Sequence, residues 1–208
     1  MKNLFTAALL LIASVTMAQK VQKISGDLNK LKGIKEWKVE FDYAEMKVAV
    51  DMWGKDLQEE ATYTEKKVMD LNQKKEGRGQ KWMDDWNHGK TTVYPEKFLL
   101  LLNKVAGKKG GNFSQEMDTQ YVLKISTIVL MPGWNIGISK KPAFVSFQYT
   151  FYEVKDGQRT ELAKFQCNNV VGSQMMGYDY TTTSRVQESY AKAGKILGKF
   201  LVKKAFKK

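Results

Sequence analysis

Ala143-Phe144-Val145-Ser146-Phe147-Gln148-Tyr149-Thr150-Phe151 sets large apolar side chains at Val145, Phe147, Tyr149 and Phe151, with smaller or polar ones between most of them. A repeat of two places every second side chain on one face of a strand, so the stretch predicts a β-strand with one face in a core. Asp156-Gly157 follows, a pair that tolerates the positive φ angles of a tight hairpin turn. Leu162 to Asn168 is then the return strand. Immediately upstream, Tyr121, Leu123, Ile125 and Thr127 alternate in the same way, and Val129-Leu130-Met131 runs on to a break at Pro132-Gly133.

Further upstream, Trp37, Val39, Phe41 and Tyr43 alternate with Lys38, Glu40 and Asp42. The parity slips at Ala44 and resumes at Met46, Val48 and Val50, which predicts a bulge or a tight turn. Lys20–Leu28 supplies a first short strand. Between the strand groups the period changes. Thr62 and Glu65 have capping-box spacing, and Val68 and Leu71 repeat as on a helix that begins in Leu57–Ala61 and ends near Lys75. Trp82 and Trp86 stand one helical turn apart. Tyr94-Pro95 opens a further helix that stops at Gly107, with proline in the first turn and glycine at the end. After an irregular loop from Gly172 to Tyr180, Ser184 to Gln187 has capping-box spacing again. Val186, Tyr190, Ala193, Leu197 and Phe200 then make one apolar stripe on a long C-terminal helix. Gly194 and Gly198 flank the stripe and predict close packing on the sheet. These patterns predict an α/β (α+β) fold over residues 19–208: a single domain with a mixed sheet of about five or six strands and helices packed on a face.

The N-terminus reads as an export signal. Met1-Lys2-Asn3 is followed by an apolar run from Leu4 to Val15, and Thr16-Met17-Ala18 has small residues where signal peptidase needs them, so cleavage is expected after Ala18. The run is shorter than the roughly 20 apolar residues of a membrane span. Residues 1–18 are therefore a signal peptide, and the mature chain is periplasmic or secreted. Gln19 stands where a lipid-anchored protein would carry cysteine, so a lipid anchor there is not expected.

Composition excludes several chemistries. Cys167 is the only cysteine, so no disulfide framework is expected, and its place on a strand pattern makes it a small buried apolar residue. His88 is the only histidine, which leaves no multi-histidine metal site, and no Gly-x-Ser-x-Gly motif is present. Gly89-Lys90-Thr91 ends like a phosphate-binding loop, but Asp84 stands where that loop needs its first glycine. No metal and no cofactor are expected. The formal net charge is +12, and all but Arg78, Arg159 and Arg185 of the 34 basic residues are lysine. Lysine-rich, arginine-poor surfaces suit loose attraction to anionic surfaces rather than base recognition, so no nucleic-acid partner is expected.

Three constellations remain as candidate sites. Trp134, in the apolar loop Met131–Gly137, together with Met175 and Met176, would form an exposed apolar patch. Trp82 and Trp86 bracket Asp84 and Asp85. This is either a helix with indoles inward and carboxylates outward, or a sugar platform with acid–base groups for glycan hydrolysis. Lys192, Lys195, Lys199 and Lys203 line one arc of the C-terminal helix. They form either a solvated face or a seat for an anionic lipid or glycan surface. Glu59-Glu60 reads as negative charge at a helix N-terminus, and Gly107-Lys108-Lys109-Gly110-Gly111 as a basic turn after a helix C-terminus.

Two segments carry a resemblance. Ser184 to Lys195 after Gly177-Tyr178-Asp179-Tyr180, and Val39 to Tyr43 after Ile24-Ser25-Gly26-Asp27, resemble a group of exported envelope proteins of Gram-negative bacteria. The element order is more loosely similar to the small α/β domains of penicillin-binding-protein activator and curli-secretion lipoproteins. The resemblance implies a non-enzymatic scaffolding or binding role in the envelope, with an envelope protein as partner, and carries over no catalytic residue.

Overall fold

The computed structural model describes residues 19–51, 54–172 and 180–206. Residues 1–18, where the sequence predicts a signal peptide, and Met175 and Met176 lie outside the described residues. The strands are β1 (Gln22–Gly26), β2 (Glu36–Asp42), β3 (Lys47–Ala49), β4 (Leu57–Glu59), β5 (Asn112–Ser114), β6 (Tyr121–Met131), β7 (Trp134–Asn135), β8 (Lys140–Lys141), β9 (Phe144–Lys155) and β10 (Gln158–Val171). The helices are α1 (Glu60–Lys74), α2 (Arg78–His88), α3 (Tyr94–Ala106) and α4 (Thr182–Lys204).

Eight strands form one mixed sheet in the order β1-β10-β9-β6-β2-β5, with β3 beside the far half of β6 and β4 beside β3. The hairpin β9–β10 is antiparallel, and β6 pairs antiparallel with β9. β2 and β3 both run parallel to β6. They are one interrupted strand, broken by a turn in which Met46 N–H donates to the Tyr43 carbonyl at 3.1 Å. This is the slip of parity at Ala44. Asp156 and Gly157 take φ of 50° and 76°, as the hairpin turn requires. β10 starts directly after the turn, so the return strand is longer than Leu162–Asn168. The strand count exceeds five or six because β4 and β5 have only three residues each, too few to show a period of two.

One face of the sheet carries Val39, Leu123, Ile125, Val145, Phe147, Tyr149, Phe151, Phe165 and Cys167, all buried. Helices α3 and α4 cover it. Phe98 of α3 lies 6.1 Å from the Phe147 ring and edge-on to Phe41 at 5.7 Å, and Tyr190 of α4 meets Phe147 edge-on at 4.9 Å. The apolar stripe of α4 is Val186, Tyr190, Ala193, Leu197 and Leu201, all fully buried or nearly so. Phe200 does not close the stripe: it is half-buried, edge-on to Phe165 at 4.9 Å. Leu201, four residues past Leu197, holds the inner position.

Gly194 and Gly198 pack on α3, not on the sheet. A Cβ at Gly194 would overlap the carbonyl oxygen of Phe98, and one at Gly198 would come to 2.9 Å from Val105 Cβ. The missing side chains let the two helix backbones touch. The caps also differ from the expected ones. Thr181 is the N-cap of α4, accepting from Ser184 N–H at 3.0 Å. Helix α1 begins at Glu60, which leaves Thr62 inside it.

Sequence predicts separate helices around Trp82–Trp86 and after Tyr94-Pro95. They are joined by a π-helical turn, Gly89–Val93, into one continuous rod. Gly89 is buried there because the Tyr94 ring occupies the space a Cβ would take. The widened turn frees a carbonyl, and the Tyr43 hydroxyl donates to it, at Lys90, at 2.9 Å.

Leu197→Ala is expected to cost about 2–5 kcal/mol in denaturant unfolding, as transfer loss plus cavity. Gly194→Ala is expected to destabilise as well, although alanine is intrinsically the better helix former by about 1 kcal/mol. A neutral or stabilising Gly194→Ala would show that α3 and α4 do not touch there. Burial pushes the Cys167 thiol up to about 11, so a thiol reagent should label it only on unfolding.

Candidate functional site

A groove of about 570 Å3 opens where four elements meet: α1, α2, the segment after β6 and the start of α4. It gathers Trp82, Trp86 and Trp134, which are far apart in sequence, with Tyr63 of α1. Its size falls within the roughly 300–1,000 Å3 of small-molecule sites.

The α1–α2 wall is built on Glu60. Its carboxylate accepts from the Trp86 indole N–H at 2.6 Å and pairs with the Lys90 ammonium. Trp86 is thereby fixed and almost fully buried. Trp82 stacks on it at 5.3 Å and 30°, and the Tyr63 ring meets the two indoles at 6.1 and 5.7 Å. Burial pushes the Tyr63 phenol up to about 12, against the opposing pull of Arg185. Like any tyrosine, Tyr63 is neutral at physiological pH, and its hydroxyl can donate. Only Trp82 of the stacked pair keeps substantial exposure, so it carries the free indole face of this wall.

The opposite wall is the segment Pro132–Ile136, held by Arg185. This buried side chain donates from Nε to the Pro132 carbonyl at 3.0 Å, from one terminal nitrogen to the Tyr180 carbonyl at 3.0 Å, and from the other to the Gly133 carbonyl at 3.3 Å. The sequence reading takes Met131–Gly137 as an apolar loop. The structure makes it a two-stranded ribbon, with Trp134 opposite Lys141 and Asn135 opposite Lys140. Gly133 bends the chain into the ribbon at φ 64°, and a Cβ there would run into the Lys141 carbonyl. Trp134 is half-buried, with the Lys141 ammonium 5.7 Å from its ring centroid. Ile136 and Ile138 project at the tip, 68% and 97% exposed.

The rim is cationic. Lys67 and Lys74 of α1, and Arg78 and Lys81 of α2, line it. Among the described residues none of these four is in an ion pair. Asp85 is the one carboxylate in the lining. Asp84 lies outside the lining, exposed, and accepts from Gln80 at 2.8 Å. The sequence reading missed Tyr63, Lys67, Lys74, Arg78 and Lys81. The spacing 63-67-71-74 is itself a helical face, but nothing in the sequence pairs that face with Trp134.

The lysine arc of α4 is not uniform. Lys195, Lys199 and Lys203 are exposed, but Lys192 is half-buried and donates to the Val171 carbonyl at 2.9 Å. Lys192 therefore tethers the helix to the end of β10 and does not belong to a free cationic face. Lys195 and Lys199 flank a shallow hollow with Leu101 and Ile196. Among the described residues no group of three His, Cys, Asp or Glu side chains is placed to hold a metal ion, and no helix is long and apolar enough to cross a membrane. His88 is exposed at the end of α2, whereas Cys167 is buried in the sheet core.

No protein-family model and no curated protein matches the chain. Among solved structures, it is similar to PelC of Paraburkholderia phytofirmans, solved as a dodecamer. Identity is 10%, the match covers 83% of this chain and 97% of that one, and the TM-score is 0.32. The likeness to penicillin-binding-protein activator and curli-secretion lipoproteins rests on sequence alone.

Glu60→Ala is expected to cost about 1–3 kcal/mol, because the Trp86 N–H and the Lys90 ammonium both lose their acceptor. Glu60→Gln, which keeps a carbonyl for the indole, should recover part of that loss in the same unfolding experiment.

Proposed function

We propose that the chain is an exported, non-enzymatic binding protein of the bacterial envelope, periplasmic or secreted, and that its ligand sits in the groove between α1–α2 and the Trp134 ribbon. The observation that carries this reading is the convergence of Trp82 and Trp134, both partly exposed, across one groove from separate elements. Large rigid aromatic side chains held from behind are the anchors from which binding surfaces draw most of their energy. Export rests on the leader-like residues 1–18.

Hydrolysis of a glycan by Asp84 and Asp85 is less well supported. That chemistry needs two carboxyl groups roughly 5–10 Å apart across one cleft. Of the two, only Asp85 lines the groove.

Two measurements test the reading. The mass of the chain recovered from the periplasm or medium should correspond to a start at Gln19; retention of the full-length chain in the cytoplasm would rule out export. Capture from envelope extracts on the immobilised mature chain should retain a component that is lost with Trp134→Ala, while Lys195→Gln/Lys199→Gln still holds it. Identical capture by the wild type and Trp134→Ala would remove the groove from the reading.

A further inference from the structure

The chemistry of the groove also selects a class of ligand, and this step rests on the binding reading above. Its cations do not converge on a point. Lys67 and Lys74 lie seven residues apart on α1, about 10 Å along the axis, and α2 folds back beside α1, with Gly79 N–H on Asn72 Oδ1 and Trp86 on Glu60, so Arg78 and Lys81 stand on a second, adjacent helix. A single phosphate or carboxylate needs several donors aimed at one position, whereas separate cations spread along a helical hairpin suit charges repeated along a chain. The flexible lysines here meet carboxylates as point charges, and the one arginine of the rim, Arg78, is exposed. Between the cations the groove offers flat indole faces, Trp82 on one wall and Trp134 on the other, with a neutral Tyr63 hydroxyl beside them. The C–H faces of pyranose rings stack on such surfaces, and their hydroxyls accept from and donate to such groups.

We infer that the groove binds a segment of an acidic polysaccharide, its uronate-type carboxylates on Lys67, Lys74 and Lys81 spread over the α1–α2 rim and its ring faces against Trp82 and Trp134. A base-stacking single strand is the competing polyanion, but it draws on arginine for phosphate forks and cation–π contacts, and the rim holds one arginine. An acidic peptide would satisfy the cations without using the flat indole faces.

The test is direct binding of the mature chain to polygalacturonate oligomers, followed by tryptophan fluorescence and calorimetry. Dextran, polyglutamate and oligo-dT serve as comparison polymers. Polygalacturonate is expected to bind and change the indole emission, with affinity falling about tenfold or more between 50 and 500 mM NaCl as the charges are screened. Trp134→Ala should weaken it by about tenfold or more, the loss typical of an aromatic anchor. Lys74→Gln/Lys81→Gln, both exposed, should weaken it and flatten the salt dependence with an unchanged melting curve. Lys195→Gln/Lys199→Gln should bind as the wild type does.

Equal affinity for polyglutamate or oligo-dT would overturn the assignment to polysaccharide. An equal loss with the Lys195/Lys199 variant would mean diffuse attraction to a basic protein and would overturn the groove as the site. No binding to polygalacturonate, with a Trp134-dependent component still captured from envelope extracts, would sink the ligand class and leave the binding reading standing. Loss of both would sink the two together.

Discussion

Helices α3 and α4 touch backbone to backbone through Gly194 and Gly198, and the geometry of the rest of the molecule follows from that contact. α3 is the second half of a rod whose first half is α2, so fixing α3 fixes where Trp82 and Trp86 stand. α4 begins with Thr181 as its cap and carries Arg185 in its first turn, so fixing α4 fixes the guanidinium that holds the Pro132 and Gly133 carbonyls. The two walls of the groove are thus set by one helix–helix contact. Protein interiors are close-packed and transmit small displacements. A side chain at Gly194 would push the helices apart and separate Trp82 from Trp134 without touching either.

The π-helical turn has a part in this arrangement. An uninterrupted α-helix from Arg78 to Ala106 would rotate the Trp82–Trp86 face by the angle of one residue relative to Phe98 and Leu102, about 100°. The extra residue absorbed by Gly89–Val93 lets Phe98 and Leu102 face the core while Trp86 faces α1 and Glu60. The turn is stabilised by filling it. Tyr94 occupies the space above Gly89 and stacks on Tyr190 at 4.9 Å, and Tyr190 in turn shares a hydrogen bond with Thr127 at 2.6 Å. A local irregularity is bolted to both the sheet and α4.

The sheet and the main helices were legible in the sequence because their signals are long. Nine residues of alternation around Phe147, the Asp156-Gly157 turn and the four-three stepping of Val186 to Leu197 each have a single physical reading. The short strands β4 and β5 were not legible, since three residues cannot show a period. The placement of Leu201 over Phe200 turned on one step of the helix and on which face Phe165 left open. The site was half legible. Trp82, Trp86 and Trp134 stand out by residue type, but the Arg185 clamp that brings Trp134 to α2 joins positions more than fifty apart and depends on carbonyl oxygens, which carry no sequence signature. The ribbon was hidden for the same reason: apolar Ile136 and Ile138 read as a loop until their backbone partners are known.

The distribution of ion pairs gives the cationic rim its meaning. The open face and edges of the sheet are laced with opposite charges: Arg159 with Glu40, Lys124 with Asp42, Lys164 with Glu161 and Lys155 with Glu153. In Glu40, hydrogen bonding to Arg159 outweighs desolvation and holds the carboxyl below its ordinary range. The same strand–strand surface therefore neutralises most of its own lysines. Along α1 and α2, Glu60 is turned inward to Trp86 and Lys90 and Asp84 is engaged with Gln80, which leaves Asp85 as the one carboxylate in the groove lining among four cations of the rim. Exposed ion pairs contribute little to stability, typically below about 1 kcal/mol each, so folding alone gives no reason for the two surfaces to differ. A fold that pairs its charges across the sheet and, among the described residues, leaves Lys67, Lys74, Arg78 and Lys81 out of ion pairs beside two partly exposed indoles concentrates its positive potential at the groove, and a field so placed acts on what approaches it.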